Sequence, residues 1–244
     1  MKCEVNEIAA DVYRLSAFHP EFGIQFNQFL IKDEEPFLMH TGFKKSFATT
    51  LDGVRAVLDP RELRWIGFSH FESDECGALN EWLDVAPHAQ AVCSFVGAVV
   101  TVNDFADRPP RPLNDDEVLG IGHRRLRFLA TPHVPHGWDA GFFFEEVDRT
   151  LLCSDLFFQP GQREPLIETG IVERARESMI AGAQGPLAKD MPYTADTEKA
   201  LNRLAELEPK TLAVMHGSSY RGDGRKAINE LTGVIKEILR GPST

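Results

Sequence analysis

The sequence predicts an α/β fold, and three observations carry that prediction. Apolar runs of strand length alternate with amphipathic runs of helix length along 244 residues, with Gly, Pro and Asp clusters between them. The N-terminal third reads as a β-meander. Acidic and imidazole residues gather where strand-like runs end, the usual place for sites in α/β architectures.

Each element follows from local pattern. Residues 11–16 (DVYRLS), 25–32 (QFNQFLIK) and 36–40 (PFLMH) read as strands rich in aromatic and branched side chains, separated by Gly23 and by Asp33-Glu34-Glu35-Pro36. Residues 46–58 carry apolar spacings of three and four and close at Asp59-Pro60, which predicts a helix. RWIGFSH is a short strand ending at His70. Ser73 or Asp74 then caps a helix running through ALNEWLDV to Ala86-Pro87. AQAVCS and RRLRFLATP read as strands around a polar, Pro-rich loop at 103–117, and GWDAGFFFEEV pairs with RTLLCSD across Asp148-Arg149. Helices are expected over 171–182 and over 195–207, the latter closing at Glu208-Pro209. KTLAVMH is a last short strand, and AINELTGVIKEILRG an amphipathic helix with Gly241 as its stop. No repeat, low-complexity tract or linker interrupts the chain, so one domain over residues 1–244 is the simplest organisation.

Composition narrows the function. With 43% hydrophobic and 26% charged residues the chain is neither disordered nor fibrous. A formal net charge of -11 disfavours a nucleic-acid polymer or an anionic membrane as partner and points to small molecules or proteins. The N-terminal MKCEVNEIAADVYRLSAF has scattered acidic residues and lacks the basic start and apolar run of a secretory signal. No stretch approaches the roughly 18 consecutive apolar residues of a membrane span. Cys3, Cys76, Cys93 and Cys153 form no C-x-x-C pair. A reducing cytoplasm is therefore expected, with the cysteines mostly small buried side chains.

The chemistry concentrates in residues 69–78, SHFESDECGA, where His70, Glu72, Asp74 and Glu75 fall within six positions. Three carboxylates and an imidazole so close repel one another and resist burial unless a cation holds them, although a solvated loop would also tolerate them. On an extended strand end, side chains two apart face the same way, so His70 and Glu72 can reach one metal ion while Asp74 reaches a neighbouring position. Three further groups lie at strand ends: His136 in TPHVPHGWD, Asp155 ending TLLCSD, and His216 ending TLAVMHG. Converging on one sheet edge, three imidazoles and three carboxylates suffice for two metal ions.

Taken in order, H-x-E-x-D, T-P-x-x-x-H with a nearby Asp, S-D-x-F and M-H-G resemble the metallo-β-lactamase fold, and within it the diiron domain of flavodiiron proteins. That resemblance runs from Asn27-Gln28-Phe29-Leu30-Ile31 to beyond His216, nearly the whole chain. It implies an αββα sandwich, two mixed sheets flanked by helices. Hydrolases of this fold carry H-x-H-x-D-H, and Glu72 in place of the second His is the flavodiiron-like mark. Carried across, His70, Glu72, His136 and Asp155 would bind one metal and Asp74, Asp155 and His216 the other. The implied cofactor is a pair of iron ions bridged by Asp155 and an oxo or hydroxo group, with manganese or zinc as alternatives. Carboxylate-rich ligand sets independently favour harder, redox-capable ions over zinc.

The sequence departs from that family pattern at several places. Glu75 stands where the family usually has a His, which makes it a possible extra metal ligand. TPHVPHGWD is one residue longer than the pattern, which leaves His133 as an alternative to His136. His40, before Thr41, replaces the usual Asp and bears on support behind the ligands. His19, in FHPEFG, resembles a pocket histidine of the family, with a surface position as the alternative. Tyr193 and Trp138 are further candidates to line the cavity, whereas Phe142, Phe143 and Phe144 read as core and pocket wall. His88 and His123 read as solvent-exposed.

Two functions from different classes follow. The resemblance implies a protein that binds or reduces O2 or NO at non-haem iron, or senses it. Flavodiiron proteins append a flavodoxin-like domain that this sequence does not extend to. No flavin is therefore expected in this chain, and electrons would come from an external flavoprotein or rubredoxin-like donor. A homodimer would have to form through contacts other than those of the flavin domain. The alternative is a binuclear hydrolase acting on a phosphodiester such as a cyclic dinucleotide.

Overall fold

The computed structural model describes residues 1–185, 188 and 190–240. One sheet is built from β1 (Glu4–Ala9), β2 (Val12–His19), β3 (Ile24–Ile31), β4 (Phe37–Met39), β5 (Trp65–Gly67), β6 (Gln90–Ser94) and β7 (Arg111–Leu113), lying side by side in sequence order. Its first four strands are an antiparallel meander, and β4 through β7 run parallel. The second sheet contains β8 (Val118–Gly120), β9 (Arg125–Ala130), β10 (Gly141–Glu145), β11 (Thr150–Leu152), β12 (Leu166–Ile167), β13 (Thr211–Ala213) and β14 (Ser219–Arg221), ordered β12-β14-β13-β11-β10-β9-β8. It too is mixed: β11 pairs parallel with β13 and antiparallel with β10.

The period-2 pleat explains how one strand serves two cores. Phe37 and Met39 of β4 and Phe143 of β10 point between the sheets, where they meet Phe29, Leu126, Phe128 and Leu152. Their neighbours Leu38, Phe142 and Phe144 point outward, into separate cores on the outer faces. Helices cover those faces. On the first sheet α1 (Phe47–Arg55), α2 (Ser73–Cys76) and α3 (Leu79–Val85) bring Leu51, Val54, Cys76, Leu79 and Trp82; α4 (Phe95–Gly97) and α5 (Asn103–Phe105) follow, joined by a π-helical turn. On the second, α6 (Ile171–Gly182), α7 (Thr197–Glu206) and α8 (Gly224–Leu239) bring Ile171, Leu201, Leu204, Ile228 and Leu231. The result is the expected αββα sandwich, and Phe142 to Phe144 are core. Each fully buried Phe or Leu adds roughly 1.5–3 kcal/mol of transfer free energy.

Two glycines permit the close sheet packing. A Cβ on Gly67 would sit 2.4 Å from the Phe37 ring, and one on Gly141 would sit 2.3 Å from the Phe128 ring. Gly67 also ends β5, three residues before His70, so the tight packing there fixes where that loop begins.

Several elements differ from expectation. The helix expected from residue 73 to 86 is two helices, because the Ala78 N–H leaves the helical ladder and donates to the Gly42 carbonyl at 3.0 Å and to the Thr41 hydroxyl at 3.1 Å. The helix over 46–58 shortens to α1, and Asp59 caps a following 3-10 turn by accepting from the Arg61 N–H. The stretch at 103–117 is not all loop, since it contains α5 and β7. β1, β8, β12 and β14 were not apparent in the pattern. Gly241, expected to stop the last helix, lies outside the described residues. No helix among the described residues is long and apolar enough to cross a membrane.

Candidate metal centre

The site forms where β5, β11 and β13 end, at the carboxyl ends of parallel-paired strands, together with the β9–β10 loop. β5 delivers His70 and Glu72, α2 delivers Asp74, β11 delivers Asp155, and β13 delivers His216. The β9–β10 loop brings His136 over the top.

One group consists of His70, Glu72, His136 and Asp155, whose ligand atoms all lie within 4.8 Å of one another. Nε2 of His70 and Nε2 of His136 each lie 3.0 Å from the same oxygen, Oε2 of Glu72, and each lies 3.6 Å from Oδ2 of Asp155. Beside it, Nε2 of His216 lies 3.0 Å from Oδ1 of Asp155 and 3.5 Å from Oδ2 of Asp74. Asp155 is therefore common to both sets. Nδ1 of His216 lies 2.9 Å from the Gln25 carbonyl, a contact that needs the proton on Nδ1 and leaves Nε2 facing inward.

The six residues expected as ligands thus lie together. His133 does not join them. Its N–H donates to the Gly137 carbonyl at 2.7 Å, and with φ at +67° it absorbs the additional residue of the loop in a turn whose side chain faces solvent while His136 turns inward. Glu75 is also outside the group, on the far side of His70, where it meets Ser69 and Ser154. His40 lies behind it, buried and with φ at +65°.

His19 is buried and takes the pocket position. Its ring packs edge-on to Phe26 and within 5.9 Å of Phe43. A cavity of about 660 Å³ opens there, lined by His19, Phe22, Phe43, Lys44, Phe71 and Glu72 among others. Trp138 and Tyr193 do not line it. Trp138 is 60% exposed, and the Tyr193 hydroxyl bonds to Glu198. His88 and His123 are exposed as expected.

The electrostatics call for a cation. Glu72, Asp74, Glu75 and Asp155 crowd around three imidazoles, and Oδ2 of Asp155 is buried without a hydrogen-bond donor. Burial alone would favour neutral His70, yet the carboxylates around it, Glu75 first, hold its imidazolium up at about 10. His216 is raised to about 9, against its burial, by Asp155 and Asp74. Burial pushes Asp74 up to about 7, with His216 opposing and the neighbouring carboxylates adding. Hydrogen bonds from His136 and His70 hold Glu72 down at about 2. These opposed shifts have one cause, carboxylates and imidazoles packed together out of water. The donor set, imidazole and carboxylate with an unsatisfied shared oxygen, fits two metal ions of the harder kind.

Sequence reasoning quoted Asp139 and Ser154 only as letters of the motifs T-P-x-x-x-H with a nearby Asp and S-D-x-F, and gave neither them nor Ser69 a role. Asp139 is buried, and its Oδ2 accepts from the Phe71 N–H at 2.9 Å, tying the β9–β10 loop to the His70 loop. A further signal was adjacency: each of the serines immediately precedes a candidate ligand.

A family model described as ODP family beta lactamase matches residues 24–217. The rubredoxin-oxygen oxidoreductase of Megalodesulfovibrio gigas is 27% identical over 210 residues, covering 82% of this chain and 50% of the relative. The flavo-diiron protein FprA2 of Clostridium acetobutylicum is 27% identical over 257 residues, covering 90% of this chain and 64% of that one. Among solved structures, the rubredoxin oxygen:oxidoreductase from Desulfovibrio gigas has a TM-score of 0.79 at 22% identity, covering 94% of this chain and 61% of that one. The chain therefore spans between half and two-thirds of the length of these relatives.

Proposed function

The chain belongs to the ODP family of β-lactamase-fold proteins, and from that premise we propose that it is a non-haem diiron protein that binds or reduces O2 or NO with electrons from an external donor. The observation that carries this reading is Glu72, a carboxylate held 3.0 Å from two imidazoles at the position where imidazole would suit zinc. The names of the relatives, an oxygen oxidoreductase and a flavo-diiron protein, support it.

Two iron ions would be held by His70, Glu72, His136 and Asp155 on one side and by Asp74, Asp155 and His216 on the other, and when bound they supply the electrons for reducing a small diatomic molecule. The protein's own part is structural and electrostatic. Asp155 keeps the two ligand sets adjacent, and the Gln25 carbonyl fixes His216 in the tautomer with Nε2 inward. Glu72 lines the cavity and is the ligand residue that links it to the centre. Phe22, Phe43, Phe71 and Phe105 give the cavity an apolar share that suits an uncharged gas. The electron donor would be a flavoprotein or a rubredoxin-like protein.

One observation favours the hydrolytic reading. The cavity, at about 660 Å³, is larger than a diatomic gas requires, and Lys44 and Lys45 line it. Manganese or zinc in the same ligands, with a phosphodiester held by those lysines, would suit it. The deciding experiment is to reduce the iron-loaded protein chemically without air and mix it with O2 or NO in a sealed electrode cell. Uptake in proportion to protein supports the diiron reading. No uptake, together with cleavage of a cyclic dinucleotide by the manganese-loaded protein, overturns it.

A further inference from the structure

Two loops meet at the centre, one carrying Ser69 and His70 and the other Ser154 and Asp155, and a single buried carboxylate joins them. Glu75 is 1% exposed. In α2, successive side chains diverge by about 100°, so Asp74 is aimed at His216 while Glu75 passes to the opposite side of His70. Its Oε2 accepts from the backbone N–H of Ser69 at 3.0 Å and of His70 at 2.9 Å. Its Oε1 accepts from the Ser154 hydroxyl at 2.8 Å, and the Ser69 hydroxyl donates to the same carboxylate at 2.6 Å. That Ser69 oxygen lies 3.1 Å from Nδ1 of His70, and Oε1 of Glu75 is itself 3.3 Å from this nitrogen. On its other flank Nε2 of His40 stands 3.6 Å from Oε1, a neutral ring among carboxylates, since burial lowers its proton affinity.

We propose that Glu75 is a positioning residue of the centre: through Ser69 it holds His70 with its proton on Nδ1 and Nε2 turned to the metal, and through Ser154 it locks the Asp155 loop to the same frame. The proton order is consistent throughout. His70 Nδ1–H donates to the Ser69 oxygen, Ser69 O–H donates to Glu75, and Ser154 O–H donates to Glu75, so each donor finds one acceptor. Every hydrogen bond of the carboxylate is made to the two loops, which sets Glu75 apart from the ligands. Carboxylates behind a metal-binding imidazole fix its tautomer and raise its donor strength, and losing such a group weakens metal binding by roughly 10- to 100-fold.

This inference rests on His70 and Asp155 holding metal, so the test uses zinc, which binds without redox chemistry. Full-length, metal-free protein is titrated with Zn(II) against a competing chelator, and the histidine ring protons are followed by proton–nitrogen NMR. Glu75→Gln keeps the volume and removes the charge; Ser69→Ala cuts the link to His70 and serves if the first variant does not fold. The wild type is expected to bind two zinc ions and to show a strongly downfield Nδ1–H on His70. Either variant is expected to bind at least one ion roughly 10- to 100-fold more weakly, with that proton signal moved upfield or lost. Folded Glu75→Gln that binds both ions as tightly, with the His70 signal unchanged, overturns the proposal. So does loss of one ion with the His70 signal unmoved, which would make Glu75 a ligand. Failure of the wild type to bind zinc would instead overturn the underlying reading of the centre, and this inference with it.

Discussion

Asp155 faces two ways: its Oδ1 lies 3.0 Å from Nε2 of His216, whereas its Oδ2, 3.6 Å from Nε2 of His70, is buried with no hydrogen-bond donor. A buried carboxylate oxygen left without a donor costs about 1–3 kcal/mol or more when charged. The arrangement is stable if a cation occupies the space it faces.

Replacing Asp155 by Asn removes the charge shared by both ligand sets and substitutes an amide, a poor ligand on its nitrogen side. Bound metal is expected to fall from about two ions per chain to one or none, with the far-UV circular dichroism unchanged. Elemental analysis after dialysis against a weak chelator provides the check. Retention of both ions would show that Asp155 is not shared.

His136 and His133 separate cleanly. His136→Ala deletes a nitrogen 3.0 Å from Glu72, and metal affinity is expected to fall by roughly 10-fold or more, whereas His133→Ala alters an exposed turn and leaves it unchanged. Parallel zinc titrations of the two variants decide the matter. Equal losses, or a loss only in His133→Ala, would reverse the assignment.

Metal removal should lower stability, because ions that bind the folded centre and not the unfolded chain stabilise by mass action. At a thousandfold excess over Kd the gain is about 4 kcal/mol. In a chain of this length each kcal/mol moves the melting point by roughly 2–4 °C, so a rise of about 10 °C over the chelator-treated protein is expected in scanning calorimetry. No rise would place the carboxylates outside any metal site.

Phe143 stands between the sheets, with ring centroids 5.2 Å from Phe37 and 5.1 Å from Phe128. Phe143→Ala opens a void against rings that cannot collapse into it, and is expected to cost about 3–5 kcal/mol. Urea unfolding measures this through the midpoint. A loss below about 1 kcal/mol would mean that the two sheets repack freely.

Much of this was legible in the sequence where the signal is local. The alternation of strands and helices and the helix at Ile171–Gly182 follow from apolar period, the αββα arrangement came only with the family resemblance, and six candidate ligands follow from acids and imidazoles at the ends of apolar runs. β1 escaped notice because EVNEIA is polar and half-exposed, with little alternation to read. β12 and β14, of two and three residues, are strands only by virtue of neighbours distant in sequence. The break between α2 and α3 depends on Gly42 and Thr41, which no local pattern connects with Ala78. Glu75 is the instructive case. In the sequence it adjoins Asp74 and could equally be an extra ligand or none, but helical rotation carries the two to different sides of His70.

Whether this ligand set holds iron in pairs and reacts with a gas is decided by the metal content of protein purified without oxygen, read by Mössbauer and optical spectroscopy before and after air is admitted. About two irons per chain are expected, ferrous at first, with a magnetically coupled ferric pair after exposure. Zinc or manganese in the purified protein, or iron whose spectrum does not respond to air, would contradict the diiron reading.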